Sequence, residues 1–307
     1  MLRPGASHYT PISWPDAFQL VADELNTLAS PNEAIFYMSG KVPDEPAYLY
    51  QLFVRQFGTN NLPDCLNMCH ESSGSALSPT LGPGSGSVTL NDIHKAEVIL
   101  IMGQNPGVNH PRMLTALQMA KCDGAKIIAV NPLHKAGLSH FKNPQDFMNP
   151  LKAVGTLLGD GTPIADLHLQ VKINGDMAVL RGIIKHLLRA EELNPGEVID
   201  QAFIEEYTAN YDTFLATIRN TSWESIEQLS GQSDCSQAEN HYLLGHGLTQ
   251  QKSGVMTIQK IVNLHLLKGA MGKPGSSTCP VRGHSNVQER GIRGRQLVTI
   301  TSHFEGQ

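Results

Sequence analysis

The stretch from Ala96 to Pro132 constrains the fold more than any other: AEVILIM, then GQNPGVNHP, then RMLTALQMAKCDG, then KIIAVNP. Its two continuous apolar runs, short and bounded by Gly, Pro and Asn, read as strands buried on both faces. The segment between them reads as a helix that stops at Gly124. This order makes a parallel strand pair and sets Gly103-Gln104-Asn105-Pro106 and Asn131-Pro132 at neighbouring C-terminal strand ends, where open α/β sheets bind nucleotides. Gly103 permits close approach, Asn105 and Asn131 offer amide donors and acceptors, and the helix start favours phosphate. The G-x-G-x-x-G fingerprint is absent from this turn, which disfavours an ordinary dinucleotide site; Asn-Pro after a strand is also a common turn signal.

The flanking sequence keeps the α/β rhythm. Ser13-Trp14-Pro15-Asp16 opens a capped helix with Phe18, Val21, Leu25 and Leu28 at helical spacing, Ala34–Gly40 reads as a buried strand, and Ala47–Phe57 reads as a helix. Further on, His168–Ile173 reads as a strand and a long amphipathic helix begins near Asp176. Ala202–Gly231 reads as small capped helices, and Val255–Leu267 as a helix ended by Gly272-Lys273-Pro274-Gly275. With 307 residues, of which 40% are hydrophobic, the chain can bury a core large enough for two domains. A net charge of −5, a pI near 6.2 and no basic run exclude nucleic acid or an anionic membrane as expected partners. No apolar run is long enough to span a bilayer, and the first residues carry no secretory pattern. Five irregularly spaced cysteines argue against a disulfide framework and for a reducing cytoplasm.

The chemistry-bearing residues lie in NNLPDCLNMCHESSGSAL, where Cys65, Cys69 and His70 sit without helical or strand periodicity, followed by a Gly/Ser-rich stretch open to a ligand. The spacing C-x-x-x-C-H is one residue too long for covalent haem attachment, and Cys122, Cys235 and Cys279 stand too far apart to complete a four-ligand zinc site. Two readings remain: thiols that pack, and a thiolate ligand for a soft transition metal with an adjacent acid/base. Asp166 reads as a strand-flanking cap or surface charge, and Arg282 as a loop cation flanked by glycine.

The combination TNNLPDCLNMCHESSG, GQNP-x₃-HP, GAKIIAVNP, YLLGHGLTQ and VNLHLLKGAMGKPGSSTCPVRGHSNVQ resembles the molybdopterin oxidoreductase family on its formate dehydrogenase alpha-subunit side, in the FdhF/YdeP-like branch linked with acid resistance. The resemblance runs from about Pro11 to Gln288. It implies two Rossmann-like parallel-sheet domains of the formate dehydrogenase/DMSO reductase type, matching its domains II and III and incomplete here. In residues, it implies a helical segment over 1–30 packing on the core, an α/β domain over 31–150, a second α/β segment over 151–288 and a divergent tail over 289–307. It implies a molybdenum bis(molybdopterin guanine dinucleotide) cofactor, with Cys69 as metal ligand and Cys69, His70 and Arg282 as the catalytic set. The cofactor contacts it implies are Gly103, Asn105, Pro106, His110, Asn131, Pro132, Asp166, Gly245, Gly247, Thr249, Gln250, Gly283 and Asn286. Formate or a similar small molecule is the implied substrate and an electron-transfer protein a possible partner. Longer relatives carry a 4Fe-4S cluster, for which this chain has no C-x-x-C motif. The chain reads as truncated at both ends, leaving a non-catalytic remnant with a nucleotide-binding fold as the alternative.

Overall fold

The computed structural model describes residues 1–63, 69–148, 157–232 and 248–283, with the backbone alone of 243–244. Its centre is a parallel pair, β1 (Val98–Met102) and β2 (Lys126–Val130), in register from Val98 opposite Lys126 to Met102 opposite Val130. β5 (Leu167–Leu169) adds beside β2 and β6 (Leu243–Leu244) beside β1, giving the all-parallel order β5-β2-β1-β6. A two-stranded antiparallel ribbon pairs β3 (His140–Phe141) with β4 (Thr162–Pro163). The α/β class and the parallel sheet agree with the sequence reading. Among the described residues, strands from both sides of residue 150 join this one sheet.

Successive residues of the central strands point to opposite faces. Leu100, Met102, Ile128 and Val130 join one buried cluster with α3 (Glu71–Leu81), α8 (Asp176–Leu193) and α12 (Gly254–Leu267). Ile99, Ile101, Ile127 and Ala129 join another with Leu114, Leu117 and Ala120 of α6 (Pro111–Cys122). Burial on both faces explains why these strands are continuously apolar rather than alternating. The sheet is flanked by α4 (Leu90–Lys95), which starts on a Thr89/Asp92 capping box, by two single turns, α5 (Pro106–Asn109) and α7 (Ala136–Ser139), and by α9 (Gln201–Tyr207), α10 (Tyr211–Arg219) and α11 (Trp223–Ser230). No helix among the described residues is long and apolar enough to cross a membrane.

Residues 1–63 and 69–283 belong to two separate compact units. The first holds α1 (Trp14–Asn26), whose Ser13 cap accepts from Asp16 N–H, and α2 (Asp44–Phe57), closed by Gly58 at φ +101°. Its core is Ala34, Phe36 and Val54, with Leu25, Leu28, Tyr50, Phe57 and Leu62 packed against them. The Phe36 ring meets Tyr50, Phe53 and Phe57 edge-on at centroid distances of 6.1, 5.8 and 5.4 Å. Two expectations change here. Ala34–Gly40 is not a strand: among these residues only Met38 makes a β-bridge, although Ala34 and Phe36 turn inward and Ile35 and Tyr37 outward. In addition, Phe18 and Val21 of α1 are exposed; the inward contacts come from Leu25 and Leu28.

The Gly/Ser-rich stretch after His70 is the larger departure, because Glu71–Leu81 is a helix with Pro79 inside it. Serine, glycine and proline are poor helix formers, so propensity points elsewhere. Packing overrides it: Ser73, Ala76 and Leu77 are buried, the last two in the cluster shared with α12. The small residues that made the segment look like an open loop are what allow the close approach.

Candidate functional site

The C-terminal ends of β1 and β2 set the stage. Gly103 turns at φ +64° with its N–H on Val130 O at 2.9 Å, and Asn131 N–H reaches Leu169 O at 3.1 Å. Buried Asn131 donates from Nδ2 to Gln104 O at 3.3 Å, tying the two loops together. Behind them Gly107 and Gly137 face each other so closely that a Cβ on either would lie 2.8 or 2.6 Å from the other's Cα. Asn105 Oδ1 lies 3.7 and 3.5 Å from those two Cβ positions. Pro106 is buried at the start of α5, and Pro132 is partly buried.

The second component is the start of α3. Cys69, partly buried, precedes buried His70, whose carbonyl accepts from Ser73 and Gly74 N–H as the helix begins; the His70 Nδ1 sits 3.1 Å from Ser73 Oγ. Thr249 and Gln250 hold this turn from the far side. Gln250 Nε2 donates to Cys69 O at 3.1 Å, and Ser72 Oγ donates to Thr249 O at 3.0 Å.

Arg282 supplies the third component. Its segment runs beside the Gly-rich stretch after α3: Ser87 N–H donates to Thr278 O at 3.3 Å, the Ser87 and Ser277 hydroxyls pair, and a Cβ on Gly86 would meet Pro280 Cδ at 3.1 Å. The guanidinium donates from Nη2 to Gly84 O at 3.3 Å, and His110 Nε2 lies 2.8 Å from Arg282 O. Burial pulls the guanidinium below its ordinary value, and the Cys69 sulfur, near enough to act electrostatically, opposes that shift. Gly283 is exposed directly behind it.

Cys69, His70, Thr249, Gln250 and Arg282 therefore gather around the start of α3, linked through His110 to Gln104 and Asn131. Asp166 is not among them. It sits at the opposite end of the sheet, where its carboxylate accepts from Ile127 N–H at 2.8 Å and pairs with Lys121, with Lys126 at 3.9 Å. Burial alone would raise its pKa; the Lys121 hydrogen bond, the Ile127 N–H and the two lysine charges bring it below the ordinary value. Its place is that of a structural strap. Gly245, Gly247, Asn286 and the 289–307 tail lie outside the described residues, as does Cys65.

Three residues that sequence reasoning passed over complete the arrangement. Gln104, 2% exposed, was legible only as the variable position of G-x-N-P. Asp176 at the start of α8 is buried and accepts from Gln251 Nε2 at 3.0 Å. Burial pushes its carboxyl above the ordinary value of 3.8, and the Gln251 bond only partly offsets this. The folded chain thus holds that proton more tightly than the unfolded chain. Between the ordinary and the raised folded pKa stability falls as pH rises, and above both the full cost of the buried charge remains. Asp176→Asn removes the charge and offers an N–H to Gln251 Oε1, which has no partner among the described residues. We expect the variant to melt above the parent at pH about 7 and level with it below pH about 4; thermal unfolding at the two pH values checks this.

A parallel sheet with polar loops at its C-terminal strand ends is the α/β arrangement in which nucleotide-containing ligands bind. The molybdopterin oxidoreductase family matches residues 1–300, and the chain belongs to that family. It is 49% identical over 298 residues to an uncharacterized oxidoreductase of Mycobacterium tuberculosis (strain H37Rv), covering 94% of this chain and 37% of the relative. It is 40% identical over 307 residues to the protein YdeP of Escherichia coli (strain K12), covering 95% and 39%. Formate dehydrogenase H of Escherichia coli (strain K12) is 29% identical over 293 residues, covering 91% and 37%. The chain thus spans under two fifths of the length of these relatives. Among solved structures, acetylene hydratase from Pelobacter acetylenicus shares the fold at a TM-score of 0.65 with 16% identity, covering 89% of this chain and 35% of that one.

The residues present fit the molybdopterin that the family implies. Gln104 Oε1 and Asn105 Oδ1 are buried acceptors without a partner among the described residues, at the strand ends where a group rich in N–H donors would lie. The Gly107–Gly137 approach leaves no side chain between their loops, and the Cys69 sulfur is a donor soft enough to suit molybdenum.

Proposed function

We propose that this chain is the core of a bis(molybdopterin guanine dinucleotide)-dependent oxidoreductase that oxidises formate, or a similarly small carboxylate, by two electrons at a Cys69-ligated molybdenum. The observation that carries this reading is the convergence of Cys69, His70 and Arg282 at the start of α3 from positions more than two hundred residues apart. When bound, the cofactor would take up the two electrons. Gly103, Asn105, Pro106, Asn131, Pro132, Thr249 and Gln250 would hold it, and Gly245, Gly247, Gly283 and Asn286 complete the proposed contacts.

Oxidation of formate to carbon dioxide releases one proton and two electrons, so the site needs an anchor for the carboxylate and an acceptor for the proton. Arg282 presents a planar fork that holds a carboxylate through two parallel N–H···O bonds and so orients its C–H bond. His70, next to the sulfur in sequence, takes the proton on its imidazole. Burial of His70 and partial burial of Arg282 strengthen these charge interactions by excluding water. Electrons leave to a separate electron-transfer protein, and by its resemblance to the YdeP-like branch the enzyme is of the acid-resistance type.

The test is metal analysis and pterin fluorescence on the purified protein, followed by formate-dependent dye reduction. Stoichiometric molybdenum with pterin supports the cofactor assignment. Protein that folds but carries neither favours a non-catalytic remnant, and loaded protein without formate turnover removes formate alone.

A further inference from the structure

We propose that His110 is a positioning residue for Arg282: its imidazole bridges Gln104 at the end of β1 to the Arg282 main chain and so fixes where the guanidinium stands beside Cys69. The inference rests on the reading of Arg282 as the substrate anchor and reassigns His110, whose resemblance-based role is cofactor contact.

The geometry begins with the carbonyl. Arg282 O can only accept, so the His110 Nε2 lying 2.8 Å from it must carry the proton and donate. In the neutral ring that leaves Nδ1 as an acceptor, and Gln104 Nε2 lies 3.2 Å from it, in position to donate. Both ring nitrogens are engaged inside the protein, and a cofactor contact through either would have to displace one of these bonds. The far end is anchored as well: Gln104 is almost fully buried, and its carbonyl accepts from Asn131 Nδ2 at 3.3 Å.

A continuous line of hydrogen bonds therefore runs from Asn131 at the end of β2, through Gln104 and His110, to the main chain of Arg282. The guanidinium is held separately at its tip by Gly84 O at 3.3 Å. A side chain fixed only at its tip can still move with its backbone; a main chain tied to the sheet edge removes that freedom. Pro111, directly behind His110, opens α6, so the imidazole rides on a helix start packed against the sheet.

Asparagine and glutamine separate the two halves of the bridge. Glutamine places an amide N–H near the position of imidazole Nε2 and keeps the bond to Arg282 O; asparagine reaches only the Nδ1 position and loses it. Hydrogen exchange measured by mass spectrometry on the purified 307-residue chain, without cofactor, reads the consequence. In His110→Asn, residues 278–283 should exchange about three- to tenfold faster than in the parent, the scale set by one ordinary hydrogen bond, while α8 is unchanged. In His110→Gln they should stay within about twofold of the parent. Equal exchange in the two variants over 278–283, or faster exchange in α8 as well, overturns the proposal. In protein carrying its cofactor, His110→Asn should raise KM for formate more than it lowers kcat. An unchanged KM together with faster exchange at 278–283 supports the bridge and counts against Arg282 as the formate anchor.

Discussion

Cys69→Ser is expected to remove molybdenum-dependent turnover, by roughly three orders of magnitude or more, the scale seen when a group at the reacting centre is lost. The physical reason is the donor atom. A serine hydroxyl is hard and keeps its proton at neutral pH, whereas a cysteine sulfur is a soft donor that ligates a metal as the thiolate. Folding should be almost untouched: Cys69 is partly exposed, it is in none of the core clusters among the described residues, and its main-chain carbonyl, which accepts from Gln250, survives the substitution. A melting temperature near the parent's together with lost dye reduction is the expected pair of results. Turnover retained in the serine variant would remove Cys69 as the metal ligand.

Gly137→Ala should carry the largest stability cost of any single methyl addition near the site. The added Cβ would lie 2.6 Å from Gly107 Cα and 2.9 Å from Gly107 N. Both are backbone atoms, so no rotamer change relieves the overlap; α5 and α7 must separate. We expect a loss of about 3 kcal/mol, the top of the range for overpacked positions, read as a lower urea midpoint. Because Asn105 stands beside both glycines, the same separation would disturb the edge that the cofactor is proposed to use. An unchanged midpoint would mean that the two turns do not pack this closely in solution.

What the sequence made legible follows from where its information is local. The β1–helix–β2 unit could be read because continuous apolar runs bounded by Gly and Asn-Pro have few other meanings, and its glycine stop was found at Gly124, φ +101°. The helix Glu71–Leu81 could not, because its cause lies in the packing of Ala76 and Leu77 against α12, and its own composition argues for a loop. Ala34–Gly40 alternates inward and outward as a strand does, yet an apolar pattern cannot announce the neighbour needed to make a ladder. Within the site, Cys69 and His70 were visible as chemistry in the wrong company. The neighbours that fix Arg282, Gly84 and His110, are 198 and 172 residues away and leave no mark on local pattern. Asp166 shows the reverse: the resemblance implies a cofactor contact there, whereas the carboxylate accepts from Ile127 N–H and pairs with Lys121 at the other end of the sheet.

The bonds from Gln250 to Cys69 and from Arg282 to Gly84 close loops of 181 and 198 residues. Contacts of that span are entropically the slowest to form, so the strand pair can condense well before the thiol acquires its surroundings. During synthesis the sulfur would leave the ribosome long before the arginine, and for that interval it is an ordinary cysteine. Under the proposed function, cofactor loading would therefore wait until Arg282 has been made: a shorter chain has strand ends to offer but no guanidinium beside the thiol.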